Sequence, residues 1–309
     1  MTNTSHSNHS SNATQSSGIR GFLAGLSSLD RRWIFLGVAL AVGIPILLKL
    51  SLPEVPGPMA RATFNAIEKI PSGSRVLLAF DYDPASQGEL QPMANALVHH
   101  CASRGHNIVF MALWPLGKQL ADKTIKDVLK EFHPEYVEGT NYVQLGFKTG
   151  NEGVIKLMTT AITEQYPNDA SGAALTDIPL MSGVNKLSEF KLIGTISAGY
   201  PGAKEWVQYA DGASPEAFTL VAGSTGVQVS QLLPYYPKQL EGLLVAVKGA
   251  AEYEMLVTEK YPVAKHQGRL EEGRRRMGPQ LVAHLLVIGL IVLGNVAMIA
   301  ARGAKGGAR

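Results

Sequence analysis

Runs of apolar residues recur along the middle of the chain, and stretches with helical spacing separate them. The runs are RVLLAF, HNIVFMALWP, YVQLGF, FKLIGTISAG and FTLVAGSTG. Short, almost uninterrupted apolar runs are typical of parallel strands that helices cover on both faces. The pattern therefore predicts an α/β fold over residues 72–262, a Rossmann-like three-layer domain with a mostly parallel sheet of about five strands.

The segment after the first run has one apolar face. Its apolar residues recur at helical spacing: Leu90, Met93, Ala94, Leu97, Val98 and Cys101. The position of Cys101 on this face predicts a buried, unreactive thiol rather than a nucleophile. His99 and His100 fall off the face, so we expect both imidazoles to be exposed. Further along the chain, the spacing predicts a helix from Leu243 to Tyr261.

Two uncharged apolar segments flank the predicted domain, within residues 31–52 and 277–301. A helix needs about 20 apolar residues to cross a bilayer, and we expect both segments to do so. The α/β domain is therefore predicted to be inserted between two transmembrane helices. The composition of the other segments predicts a disordered polar tail (1–30), a Pro-rich linker with a short helix (53–71), a basic juxtamembrane segment (263–276) and a basic tail (302–309).

The net charge of the chain is only +3, and much of the basic content lies beside the apolar segments. The arginines at 274–276 favour contact with membrane lipids. The sequence contains no basic stripe with interleaved aromatics, so it does not indicate nucleic-acid binding. The single cysteine excludes an intramolecular disulfide and any multi-cysteine metal site. We expect an integral protein of a bacterial inner membrane, and the arginine cluster favours the cytosolic side for the α/β domain.

Polar side chains follow the predicted strands at their carboxyl ends, where open α/β sheets bind ligands. The candidate ligand-binding residues are Asp81, Asp83, Ser86, Glu89, Lys148, Thr149, Asn151, Thr195, Ser197, Ser224 and Thr225. Turns are also rich in these residue types, because such side chains bond to nearby backbone groups. The sequence therefore leaves two interpretations open, a ligand site and ordinary turn chemistry.

Asp81-Tyr82-Asp83 is the sharpest local signal. Two carboxylates two residues apart could bind Mg²⁺, the only cofactor that the sequence suggests, or one could attack a phosphoryl group. The stretch resembles the DxDx[TV] strand end of haloacid-dehalogenase-type phosphatases over about eight residues, and the resemblance implies a metal-dependent phosphohydrolase. Ala85 stands where that motif has Thr or Val. The alternative is a turn before Pro84 that an aspartate side chain closes.

Other catalytic signatures are missing from the sequence: it contains no GxxxxGK[ST], no GxSxG and no HExxH, and no GxGxxG follows the first strand. The sequence therefore favours a binding or assembly module in a larger membrane complex over an enzyme. We expect a membrane protein partner, or a second copy of the chain, to pack against the two transmembrane helices. The alternatives are the phosphohydrolase and a small-ligand sensor that uses the loop at 81–89.

Overall fold

The computed structural model of the protein describes residues 30–48, 54–263 and 267–306. The chain divides into two compact units, which we describe separately. One comprises Met1–Leu50 with Gly278–Arg309, and the other is Ser51–Met277, called the α/β unit below. Most of the tail predicted at 1–30, the end of the segment at 31–52 and the last three residues lie outside the described residues.

A six-stranded sheet forms the centre of the α/β unit, and all of its neighbouring strands are parallel. Its strands are β1 (Arg75–Asp81), β2 (Asn107–Ala112), β3 (Tyr142–Phe147), β4 (Leu192–Ser197), β5 (Thr219–Ser224) and β6 (Gly242–Val245). The strand order is β3-β2-β1-β4-β5-β6. The predicted α/β class is confirmed, and the expected five strands are corrected to six.

Helices and helical turns precede, connect and follow the strands. They are α1 (Arg31–Leu47), α2 (Pro58–Glu68), α3 (Gln87–Ser103), α4 (Gly117–Thr124, then a π-helical turn Ile125–Leu129 and Lys130–Phe132), α5 (Glu152–Met158), α6 (Ile162–Gln165), α7 (Ala203–Glu205, then a π-helical turn Trp206–Asp211), α8 (Val229–Leu232), α9 (Ala246–Lys260) and α10 (Glu272–Gly306). Short 3₁₀ turns occupy Leu175–Asp177, Pro179–Met181, Leu187–Glu189, Leu233–Tyr235 and Gln267–Arg269.

Successive side chains of each strand point to opposite faces of the sheet, and each face has its own buried core. In β1, Val76 and Leu78 point to one face of the sheet, where they pack with α2, α3, α4 and α9. Leu77 and Ala79 point to the other face, which α5 to α8 cover. Successive side chains of a strand point to opposite faces, so a strand buried on both faces must be apolar at almost every position.

The last strand was not recognised in the sequence. β6 is only four residues long, and α9 follows it at once, with Ala246 in the left-handed region (φ 52°) as the joint. No loop residues separate the strand residues GLLV from the helix, so the sequence gives no boundary between them. The predicted helix therefore starts at Leu243, three residues too early. Helix α2 packs closely against β6, where a Cβ on Gly242 would lie 2.6 Å from the Cα of Thr63.

His99 and His100 are buried, contrary to expectation. His99 bonds to His133 (Nδ1···Nε2, 2.8 Å), and His100 bonds to the hydroxyl of Tyr253 (2.7 Å) and to Glu68 (3.0 Å). These partners lie on elements that pack around the end of α3, so its polar side is also enclosed. Burial lowers the pKa of both histidines to about 4.

The prediction for Cys101 is confirmed, since the thiol is buried. Burial raises its pKa to about 12, and a thiol with so little thiolate is a poor nucleophile.

Both ends of the α/β unit bond to helix α9. The carboxylate of Glu252 accepts a hydrogen bond from Gly57 N (3.1 Å), just before α2. The carboxylate of Glu254 accepts bonds from Gly273 N (3.0 Å) and Arg274 N (3.1 Å), in the first turn of α10. These N–H groups have no partner within their own helix, so Glu254 caps α10 from another element. Burial raises the pKa of Glu254 to about 8, despite the two N–H donors.

The arginines before the C-terminal apolar segment form ion pairs within the chain. Arg274 and Arg275 pair with Glu271, and Arg276 pairs with Glu272. Arg269 pairs with Asp127 and also with Glu131 at 3.2 Å. The segment predicted at 263–276 as basic is thus largely neutralised in its described part, and it packs on the α/β unit through the buried Leu270.

Helix α10 is long and apolar enough to cross a membrane. Its candidate span is Glu272–Ile299, 28 residues that contain an 18-residue window with a mean hydropathy of 2.4. The helix begins five residues before the predicted start at 277. It is the only such helix within the described residues. The expectation of two flanking spans is therefore corrected to one.

The reason for this correction is the length of α1. Helix α1 has 17 residues, and at ~1.5 Å per residue it extends about 25 Å, short of a ~30 Å hydrocarbon core. The side chain of Asp30 caps its start by accepting a bond from Arg32 N (3.0 Å).

We predict that Gly242→Ala destabilises the protein by about 1–3 kcal/mol, because the new methyl group meets the backbone of α2 and cannot be relieved by a side-chain rotation. Gly153→Ala is the matched control, since nothing lies within 4 Å of its ideal Cβ and it sits in α5. We expect this control to be neutral or stabilising by up to about 1 kcal/mol. Thermal unfolding in detergent measures both, and equal midpoints would contradict the close packing of α2 on β6.

Candidate functional site

The strand order places a crevice between β1 and β4, where the connections diverge to opposite halves of the sheet. Ligands of open α/β sheets bind at this position, outside the carboxyl ends of the strands. Asp81 ends β1 opposite Ser197 of β4, and Ser197 lies opposite Ser224 of β5. These three predicted residues form a row across three neighbouring strands, on the sheet face that α5 to α8 cover.

Two buried threonines belong to the same region. Thr195 lies between Ala79 of β1 and Ala222 of β5, and Thr225 directly follows the row. The Oγ1 atoms of both threonines are buried, and neither has a hydrogen-bond partner among the described residues. Buried hydroxyls are normally paired, so these two require an explanation.

The Asp81 carboxyl has no exposed surface, and it holds three elements together. Its Oδ1 accepts a hydrogen bond from Leu113 N (2.6 Å), just after β2, and Trp206 Nε1 lies 3.5 Å from Oδ2. Burial raises the pKa of Asp81 to about 7, and the negative charge of Glu205 acts in the same direction, while the N–H donors oppose the shift.

Asp83 closes its own turn. Its Oδ1 accepts a hydrogen bond from Ser86 N (3.2 Å), the arrangement that the turn interpretation of the sequence describes. Ser86 precedes the first residue of α3, and its side chain makes no capping bond there. The two aspartates thus bond to different backbone donors. Within the described residues no group of three or more His, Cys, Asp and Glu side chains could hold a metal ion.

Glu89 occupies the amino end of α3. Its Oε2 accepts a hydrogen bond from Gly226 N (3.0 Å), in the GSTG turn after β5. A helix amino terminus attracts anions, and here a carboxylate of the protein already provides the negative charge. One backbone N–H group of the GSTG turn is therefore already bonded to a carboxylate of the protein.

Lys148, Thr149 and Asn151 follow β3, two strands away from β1. Since neighbouring strands lie ~4.8 Å apart, these residues start about 10 Å from Asp81 at the end of β1, and farther from the row's residues on β4 and β5. The Nζ atom of Lys148 lies 5.9 Å from the ring centre of Tyr166, and Asn151 has a left-handed backbone (φ 51°). The structure therefore divides the predicted set into a central group and a separate β3 group.

Aromatic residues connect these groups, and sequence reasoning missed two of them, Trp114 and Tyr166. Tyr200, after β4, donates a hydrogen bond to Glu152, after β3, and so bridges the two loops. Trp114 donates from Nε1 to the carbonyl of Pro201 (2.9 Å). Tyr166 is buried, and its hydroxyl has no partner among the described residues.

The sequence feature that could have indicated this aromatic lining is the Gly-x-x-Gly spacing in SAGYPGAK. A Cβ on Gly202 would lie 2.3 Å from the carbonyl oxygen of Gly199, and a Cβ on Gly199 would lie 3.3 Å from the Trp114 ring. The two glycines therefore allow the close turn that brings this loop against Trp114.

No protein-family model matches the chain, and no curated protein is significantly similar to it. The assignment of the site therefore rests on the strand order and on the side chains described above.

We predict that Asp81→Asn changes how stability depends on pH. The folded pKa of about 7 lies above the ordinary value of 3.8, so Asp81 favours the folded state at low pH. That contribution is lost as the pH rises from about 4 to about 7. An asparagine does not titrate, so the stability of the variant relative to wild type should rise by up to about 1.4 kcal/mol per pH unit across this window.

Unfolding midpoints measured between pH 4 and 7.5 test this expectation. Asp83→Asn is the matched substitution measured in parallel, because its amide oxygen can still close the turn at Ser86. Parallel profiles for wild type and Asp81→Asn would show that burial does not raise the pKa of Asp81.

Proposed function

We propose that the protein is a membrane-anchored binding or assembly module within a larger membrane complex, and that it is not an enzyme. The observation that carries this proposal is the engagement of the acidic residues at the carboxyl edge. Asp81, Asp83 and Glu89 each accept a hydrogen bond from a backbone N–H of the protein. These carboxylates hold loops together, which supports a structural role for them.

The phosphohydrolase alternative needs an accessible nucleophile. Asp81 has no exposed surface. The indole Nε1 of Trp206 lies 3.5 Å from its second carboxyl oxygen, Oδ2. Mg²⁺ prefers six oxygen ligands in octahedral geometry, and N–H donors directed at a carboxylate disfavour a cation at the same oxygen. The geometry thus gives the acidic pair less support as a catalytic or metal site than as two structural residues, one that connects elements and one that closes a turn.

A membrane location rests on α10, whose side chains between 285 and 299 are mostly exposed and apolar. Helix α1 also exposes large apolar side chains, at Trp33, Phe35, Leu36 and Leu40. Exposed apolar helices of this kind need a lipid or protein environment. Both helices are candidates for packing against a membrane protein partner or a second copy, with the α/β unit on the cytosolic side.

A small-ligand sensor is the second candidate function. The specific observation in its favour is the group of buried hydroxyls without partners around the crevice: Thr195, Thr225 and Tyr166. A polar ligand at the switch point would supply the hydrogen bonds that these hydroxyls do not make inside the protein.

Purification of the tagged protein at native expression level in a mild detergent, with mass spectrometry of the co-purifying chains, tests the proposal. We expect a membrane protein in stoichiometric amount. The double variant Asp81→Asn/Asp83→Asn should retain this partner, since assembly does not depend on the acidic pair. A protein that purifies alone and hydrolyses a phosphate ester, with activity lost in the double variant, would overturn the proposal.

A further inference from the structure

Exposed apolar residues of the α/β unit concentrate at one edge of the sheet. Within the described part of this unit the large exposed apolar side chains are Val55, Leu116, Val137, Phe147, Leu157, Tyr200, Val227 and Leu233. Single exposed apolar residues are common on soluble proteins. Here, however, four of the eight lie at or just after the carboxyl ends of four different strands, β2, β3, β4 and β5.

The four residues belong to separate loops that share only their position at this edge. Val227 is the most exposed of them, at 84%, and Tyr200 is exposed at 58%. Leu116 and Phe147 are exposed at 41% and 39%. Because all six strands are parallel, their carboxyl ends lie at the same edge, and these side chains form one discontinuous apolar rim, called the carboxyl rim below.

Both ends of the α/β unit lie at the same edge. On the incoming side, Gly57 bonds to Glu252 in the second turn of α9, which starts directly after the carboxyl end of β6. On the outgoing side, the guanidinium of Arg276 comes within 3.0 Å of the ideal Cβ position of Gly88, at the start of α3. Val55, a fifth exposed apolar residue, is two residues from Gly57.

We propose that the carboxyl rim contacts the surface of the lipid bilayer and inserts its loop tips into the interfacial layer. This inference rests on the proposed membrane anchoring by α10. The chain leaves the α/β unit at Met277, so a bilayer that holds the following residues lies within reach of the rim. Tyrosine and aliphatic side chains at loop tips are the chemistry that the headgroup boundary accepts.

The charges around the rim favour a zwitterionic surface as much as an anionic one. Lys148 follows β3, and Lys204 and Lys248 lie in the first turns of α7 and α9. Asp83 and the first-turn residues Glu89 of α3 and Glu152 of α5 oppose their charge. Electrostatic attraction to anionic lipid needs an excess of basic residues. The contact is therefore apolar in origin, and it should persist in phosphatidylcholine alone and at high salt.

Site-specific labelling of the full-length protein tests the proposal. Single cysteines are introduced at Val227 on the rim, at Val137 before β3, and at Leu285 in α10, where the side chain is 60% exposed. Each variant is labelled with an environment-sensitive fluorophore and reconstituted into phosphatidylcholine nanodiscs with or without lipids that carry a quencher. Cys101 is buried, so labelled wild type measures the background.

We expect the lipid-borne quencher to reduce the emission of Val227→Cys by at least half as much as that of Leu285→Cys. Val137→Cys, the matched exposed valine at the opposite edge, should show no quenching above the wild-type background. The quenching at Val227→Cys should be unchanged in high salt.

The other outcomes distinguish failure of the rim proposal from failure of the proposed membrane anchoring. Quenching at Leu285→Cys without quenching at Val227→Cys would overturn the rim proposal and leave the membrane anchoring intact. A blue-shifted emission at Val227→Cys that the lipid quencher does not reduce would show that protein rather than lipid covers the rim, and would also overturn the rim proposal. The absence of quenching at Leu285→Cys would contradict the anchoring itself.

Discussion

Two carboxylates on α9 hold both ends of the α/β unit. Glu252 and Glu254 are two residues apart, and a helix turns ~100° per residue, so their side chains point in nearly opposite directions. One bonds to Gly57 before α2, and the other bonds to Gly273 and Arg274 at the start of α10. The positions at which the chain enters and leaves the unit are therefore set by a single helix, next to the carboxyl edge of the sheet.

This arrangement depends on small residues at the contact points. A Cβ on Gly273 would lie 2.9 Å from Ala251 N and 3.0 Å from Glu254 Oε2. A Cβ on Gly57 would lie 3.1 Å from Glu252 Oε2. Burying a carboxylate without partners is costly, and the two N–H groups that Glu254 binds would otherwise also be unpaired. Each group therefore compensates for the burial of the other.

The sequence was sufficient for the strands that are long and apolar, and insufficient where an element is short. β1 to β5 could be predicted because runs such as RVLLAF are buried on both faces and carry almost no polar residue. β6 could not, since four residues joined directly to α9 carry no separate signal. The burial of His99 and His100 was also hidden, because their partners Glu68, His133 and Tyr253 are distant in sequence.

For the candidate site, the strand ends could be predicted but their spatial order could not. Helical spacing and apolar runs do not say that β4, rather than β3, lies beside β1. The sequence therefore grouped Lys148 with Asp81, although β2 separates their strands. It also could not show that the Asp81 carboxyl faces Leu113 N and Trp206, contacts that connect three elements. Because of these contacts, Asp81 acts as a structural residue and not as one of a pair of accessible carboxylates.

Hydrogen–deuterium exchange of the full-length protein tests most directly the claim that α9 holds both chain ends. The account predicts that the amides of Gly57, Gly273 and Arg274 exchange slowly, with protection of the last two approaching that of β4, because a buried carboxylate binds them. Exchange of Gly273 and Arg274 as fast as that of the exposed turn at Gly183 would contradict it, since α10 would then begin without a fixed contact to α9.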